Sequence, residues 1–114
     1  MATDGDRLDA ILHIIDLIDT SLIGIDAEAF VGNLLLVDAT AYRLMHIGEN
    51  SLRLSHALKS RHPDRPWQLM AAFRNFTAHD YFGTTTQVLW TTARDHLAPL
   101  RHLCLVELAG EDKN

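Results

Sequence analysis

Apolar positions in the first part of the chain recur at helical spacing. Leu8, Ile11, Leu12, Ile15, Ile18 and Leu22 share one face, which predicts an amphipathic helix from about Asp6 to Leu22. Gly24 is placed to stop it, and Asp26 suits the N-cap of a following helix, because its side chain can accept free N–H groups of the first turn. That second segment carries Phe30, Leu34, Val37, Ala41, Leu44, Gly48 and Leu52 at steps of three and four, and is expected to run to about Lys59. Gly48 lies inside the pattern, where glycine costs about 1 kcal/mol relative to alanine. Its presence points to close approach of another backbone or to a kink.

Two prolines in four residues make Arg61-His62-Pro63-Asp64-Arg65-Pro66 a loop, with Pro66 suited to a first helical position. A third helix is expected to turn Trp67, Met70, Phe73 and Phe76 or Thr77 inward and to end near Tyr81, before Gly83. A fourth runs from about Thr86 to Ala109, and Pro99 should kink or split it. Sustained period-2 alternation and internal repeats are both lacking. The pattern predicts an all-α, up-and-down bundle of four to five helices in one domain over residues 1–114, with an ordered core of about 6–109.

Composition narrows this further. With 114 residues, 47% apolar and 22% charged, the chain reads as one ordinary soluble domain. No apolar stretch approaches the roughly 18 residues needed to cross a bilayer. The acidic start, Met1 to Asp6, lacks the features of a secretory signal, so a cytoplasmic location is expected. The single cysteine, Cys104, can form neither an internal disulfide nor a cysteine-based zinc site, and its apolar neighbours make it a core residue.

The formal charge of -5 argues at first against nucleic acid, whose phosphates need Lys and Arg. The distribution reverses that. The acids concentrate in residues 1–50, whereas residues 51–76 form a basic centre containing Arg53, Lys59, Arg61, Arg65 and Arg74, with His56 and His62 among them. Arg53, Lys59, Arg61 and Arg65 are candidates for RNA binding, although a solvated helix end and loop would carry the same charges.

Polar chemistry is densest in Phe73-Arg74-Asn75-Phe76-Thr77-Ala78-His79-Asp80-Tyr81-Phe82. Asn75 and His79, four apart, share a helical face, and the long side chain of Arg74 can reach round to join them. A histidine at a helix C-terminus is favoured as the imidazolium and is available for proton transfer near neutral pH. Attack of an RNA 2′-hydroxyl on the adjacent phosphate needs a base, an acid and positive charge, which histidine and arginine can supply without a metal. The pair alone is equally compatible with a solvated histidine and a surface salt bridge.

The order and spacing of further residues extend the pattern. Asp38-Ala39, Ile47-Gly48-Glu49-Asn50, His62-Pro63, Pro66-Trp67, Arg74-Asn75-x-x-x-His79-x-Tyr81-Phe82-Gly83 and Val88-x-Trp90 together resemble the HepT-like toxins of the HEPN superfamily, over about residues 6–106. The resemblance implies a metal-independent ribonuclease toxin with no cofactor, acting as a homodimer whose two Arg-x4-His motifs form a composite cleft. It makes Arg74 and His79 the catalytic pair and Asn75 the supporting polar residue. Tyr81 becomes the tyrosine to which a cognate MntA-like nucleotidyltransferase antitoxin adds AMP. Phe76-Thr77-Ala78 departs from the more usual aliphatic residues between Arg-Asn and His, a matter of packing. The resemblance also admits a non-catalytic helical partner subunit of a nucleotidyltransferase.

Glu49 could orient Arg74 or serve a structural ion pair. His46 and Glu49 lack the repeated Glu-x-x-His pairs of di-metal bundles, so no metal is expected. His96 and His102 read as surface histidines, and Trp67 and Trp90 as core or interface residues.

Overall fold

The structure is a computed structural model, and it describes residues 2–75 and 84–112. The first helix, α1, spans Asp4–Ser21 and begins slightly earlier than its apolar period suggests. Thr3 explains this: its hydroxyl accepts from the Asp6 N–H at 3.1 Å, while the Asp6 carboxylate accepts from the Thr3 N–H at 3.0 Å. Leu8, Ile11, Ile15 and Ile18 are buried, so the face read from the sequence is the face that packs. Gly24, with φ of 74°, takes the left-handed conformation that lets the chain turn.

The long second helix of the sequence reading is instead three helices: α2 (Ala27–Val31), α3 (Leu34–Leu52) and α4 (His56–Ser60). Asp26 caps α2, accepting from the Ala29 N–H at 2.8 Å. The breaks arise from two further caps. The Asn33 side chain accepts from the Leu36 N–H and the Ser55 hydroxyl from the Leu58 N–H, both at 3.1 Å, which starts a new helix each time. Ser55 also donates to Asp4, from its N–H at 2.9 Å and its hydroxyl at 2.6 Å, tying α4 to the start of α1.

After the proline loop come α5 (Trp67–Ala72) and a 3-10 turn at Phe73–Asn75; α6 (Thr84–Asp95) and α7 (Leu97–Asp112) complete the described chain. The split expected at Pro99 falls at His96. Proline clashes with the carbonyl four residues before it, here that of Asp95, but is tolerated within a first turn whose N–H groups have no helical partner. Pro99 therefore sits in the first turn of α7.

Arg43 on α3 donates to the Leu17 carbonyl and the Ser21 hydroxyl, whereas Ser55 meets Asp4, so α3 runs antiparallel to α1. Arg101 on α7 meets Asp16 and Asp19, which fixes α7 against the C-terminal half of α1. Between them lies a core that includes Phe30, Leu44, Ile47, Leu58, Leu89 and Leu103. Trp90 packs on Phe30 with ring centroids 5.2 Å apart, and Arg94 lies 5.4 Å over its ring. Cys104 is buried there, and that burial pushes its thiol up to about 12, so it stays an unreactive core residue at neutral pH. Among the described residues there is no strand, and no helix is long and apolar enough to cross a membrane.

Candidate active site

Gly48 organises the region around Arg74. A Cβ at position 48 would stand 2.8 Å from the Arg74 backbone nitrogen, 2.9 Å from the Met70 carbonyl oxygen and 3.1 Å from the Phe73 Cβ. Of the two readings of this glycine, close backbone approach is therefore the one that holds. The missing side chain lets the end of α5 and the 3-10 turn lie directly on α3. Met70 and Phe73 are buried against the core, and the next residue, Arg74, emerges exposed.

Glu49 follows Gly48 on α3 and meets the emerging arginine. Its Oε1 lies 3.9 Å from Arg74 Nε, and its Oε2 lies 3.6 Å from Arg53 Nη2. Both separations exceed hydrogen-bonding length, and the side chains retain 47% of their exposure at Arg74, 61% at Arg53 and 39% at Glu49. Two guanidiniums thus flank one carboxylate at the surface, and among the described residues neither makes a hydrogen bond to it. Tyr42, 60% exposed, sits earlier on α3 in an edge-to-face contact with His46, the centroids 4.5 Å apart. Sequence reasoning passed over Tyr42, since its exposure depends on which face of α3 is left uncovered.

Asn75 closes the 3-10 turn. His79 and Tyr81, expected as catalytic partner and modification site, lie outside the described residues.

The fold disperses the rest of the basic centre. Arg61 donates to Glu107 from Nη2 at 2.6 Å and from Nε at 3.2 Å, and His62 Nε2 lies 2.7 Å from the same carboxylate. The Arg61 contact, followed by His62, holds the Glu107 carboxyl below the usual carboxylate range, against the opposing effect of burial. Lys59 Nζ donates to the Leu52 carbonyl at 2.7 Å, satisfying an end of α3. Arg65 borders a largely apolar cavity of about 590 Å³ with Pro66, Met70, Phe73, Val88 and Leu100. No group of three or more possible metal ligands occurs among the described residues.

The helical bundle, with an exposed arginine delivered by a short turn beside a carboxylate, falls in the HEPN class of helical ribonucleases. Within that class the chain belongs to the HepT-like ribonuclease family: the family model described as "Ribonuclease HepT-like" matches residues 11–106. It is 33% identical over 96 residues to a probable ribonuclease HepT of Thermococcus cleftensis, covering 84% of this chain and 87% of that protein. It is also 30% identical to a putative RNase of Caldanaerobacter subterraneus, covering 81% and 82%, and 29% identical to one of Methanocaldococcus jannaschii, covering 68% and 71%. No solved structure matches the chain.

Proposed function

We propose that the chain is a metal-independent endoribonuclease toxin that acts as a homodimer, the Arg74 and His79 side chains of two subunits lining one cleft. The observation that carries this reading is Arg74 itself: seated by Gly48, exposed, and among the described residues paired only through a long contact to Glu49, in a chain of a ribonuclease family. Its guanidinium is free to stabilise charge that develops on phosphate oxygens. His79 takes the proton of the attacking 2′-hydroxyl or protonates the departing 5′-oxygen, and Asn75 supports the substrate phosphate.

Neutralisation follows by AMP transfer. The Tyr81 oxygen attacks the α-phosphorus of ATP in a nucleotidyltransferase partner, and pyrophosphate leaves. The added charge and bulk, two residues from His79, would repel RNA from the cleft. Arg74→Ala and His79→Ala are each expected to reduce RNA cleavage by about 100-fold or more, assayed in the presence of chelator, while leaving the dimer folded. Full cleavage by either variant overturns the reading. Intact mass after co-expression with the partner tests the second half: an added AMP that is lost in Tyr81→Phe is expected, and an unchanged mass refutes this route of neutralisation.

A further inference from the structure

Arg53, Lys59, Arg61 and Arg65 are equivalent candidates in the sequence, and the fold separates them. Arg61 is held by two hydrogen bonds to Glu107, Lys59 serves the Leu52 carbonyl, and Arg65 borders the apolar cavity. Among the described residues, Arg53 is the one of the four that shares a partner with Arg74.

We propose that Arg53 is a second phosphate ligand of the cleavage site. Glu49 holds the Arg53 and Arg74 guanidiniums on its two oxygens, and the pair receives neighbouring phosphodiesters of one RNA strand, the scissile phosphate at Arg74 and the next at Arg53. The assignment rests on the reading of Arg74 as a residue of ribonucleolytic cleavage.

Three features support it. First, the contacts at 3.6 and 3.9 Å are too long to be hydrogen bonds, so an incoming phosphate does not have to displace one to Glu49. Second, guanidinium presents its donors as a fork matched to phosphate, and Arg53 and Arg74 each bring one beside a different oxygen of the same carboxylate. Third, a purely structural role for Arg53 is weakly supported. Although it is the C-cap of α3, the Leu52 carbonyl there already accepts from Lys59, and an exposed pair four residues apart contributes little to stability. Glu49 is then a positioning residue, which keeps two like charges together in the absence of RNA.

The test measures binding of a short single-stranded 2′-O-methyl RNA, which lacks the attacking hydroxyl, by fluorescence anisotropy across a salt series. Full-length wild type, Arg53→Ala, Arg53→Lys and Arg61→Ala are compared, and cleavage kinetics are taken on the ribonucleotide of the same sequence. Arg53→Ala is expected to flatten the dependence of log affinity on log salt by about 0.7, the release expected for one phosphate contact on a single strand. It should raise KM several-fold with kcat little changed and the unfolding midpoint unmoved, which separates substrate binding from a structural role. Arg53→Lys should restore the salt dependence, and Arg61→Ala should leave it at the wild-type value.

An unchanged salt dependence in Arg53→Ala, with wild type cleaving normally, overturns the assignment and leaves the ribonuclease reading standing. An equal flattening in Arg61→Ala also overturns it, because the basic centre would then bind collectively. A wild-type protein that neither binds nor cleaves single-stranded RNA removes the parent reading and this assignment together.

Discussion

Two regions of this bundle use arginine in opposite ways. Where α7 meets α1 and the proline loop, Arg101 reaches Asp16 and Asp19 at 2.6 and 2.7 Å, and Arg61 reaches Glu107 at 2.6 Å. These contacts join segments far apart in sequence and close the bundle. At the junction of α3 with the 3-10 turn, Arg74 and Arg53 stand 3.9 and 3.6 Å from Glu49, too far for a hydrogen bond to it. Contact length, not exposure, separates the two sets: Arg61 keeps 55% of its side-chain exposure and Arg74 47%, and on the reading proposed above the long contacts belong to the arginines that meet RNA. Charge along the chain does not distinguish the two sets.

The contrast is broken most directly at Arg74. Arg74→Ala should reduce cleavage by about 100- to 1000-fold, the scale seen when a donor to a developing oxyanion is removed. Thermal stability should change by less than about 0.5 kcal/mol, because the lost contact is a long surface pair. Single-turnover cleavage and thermal unfolding of the same preparation check both halves. A large loss of stability would place Arg74 with the structural arginines.

Gly48→Ala tests how Arg74 is delivered. Alanine gains about 1 kcal/mol in helix propensity, whereas overpacking a closely fitted site costs typically about 1–3 kcal/mol. The obstructing atoms are the Arg74 nitrogen and the Met70 oxygen, both backbone, so they cannot rotate away, and the cost should win. A net loss of about 1 kcal/mol is expected by denaturant unfolding, with a fall in cleavage as the turn shifts. At Gly32, where the nearest atom to an added Cβ is 3.4 Å away, alanine should be close to neutral by the same measurement.

Much of this arrangement could be read from the chain. The Leu8–Ile18 face, the Asp26 cap and the close approach at Gly48 follow from local spacing or from the energetic oddity of one residue. The breaks at Asn33 and Ser55 do not, because the apolar period runs through both and a polar side chain at either position suits an exposed helical site equally well. The sharing of Glu49 by Arg53 and Arg74 was half visible. Its four-residue spacing from Arg53 is local, but its meeting with Arg74 depends on how α5 docks. The capture of Arg61 and His62 by Glu107 was invisible, since the partners lie 46 and 45 residues apart and meet only through the packing of α7. The chain therefore displayed its cations without showing which ones the fold had consumed.

Glu107→Gln sharpens the structural side of the contrast. Arg61 first and His62 second hold the Glu107 carboxyl below its ordinary range. A carboxyl whose folded value is depressed contributes stability that is fully present above the unfolded value and is lost as pH falls through the folded one. Wild type should therefore lose this contribution only on acidification below the ordinary glutamate range. Glu107→Gln should lack it already at neutral pH, by about 1 kcal/mol after allowing for solvent screening. Unfolding midpoints measured from neutral pH downward should converge for the two proteins in acid; curves that stay parallel would show that the ion pair contributes nothing.

The effect most easily erased by salt is expected at Arg101, and it complements the result at Arg74. Arg101 keeps 32% of its side-chain exposure and its partners Asp16 and Asp19 keep 61% and 53%, so both contacts are screened by water despite their short lengths. Exposed pairs are worth about 0.2–1 kcal/mol each, which sets the expected loss in Arg101→Ala near 1 kcal/mol at low salt. Raising ionic strength should narrow the gap between variant and wild type, because surface pairs weaken as counterions accumulate. Cleavage per folded molecule should not change. If Arg101→Ala instead lost cleavage while keeping its stability, short contact distance would no longer identify the arginines that serve only the fold, and the division between the two regions would fail.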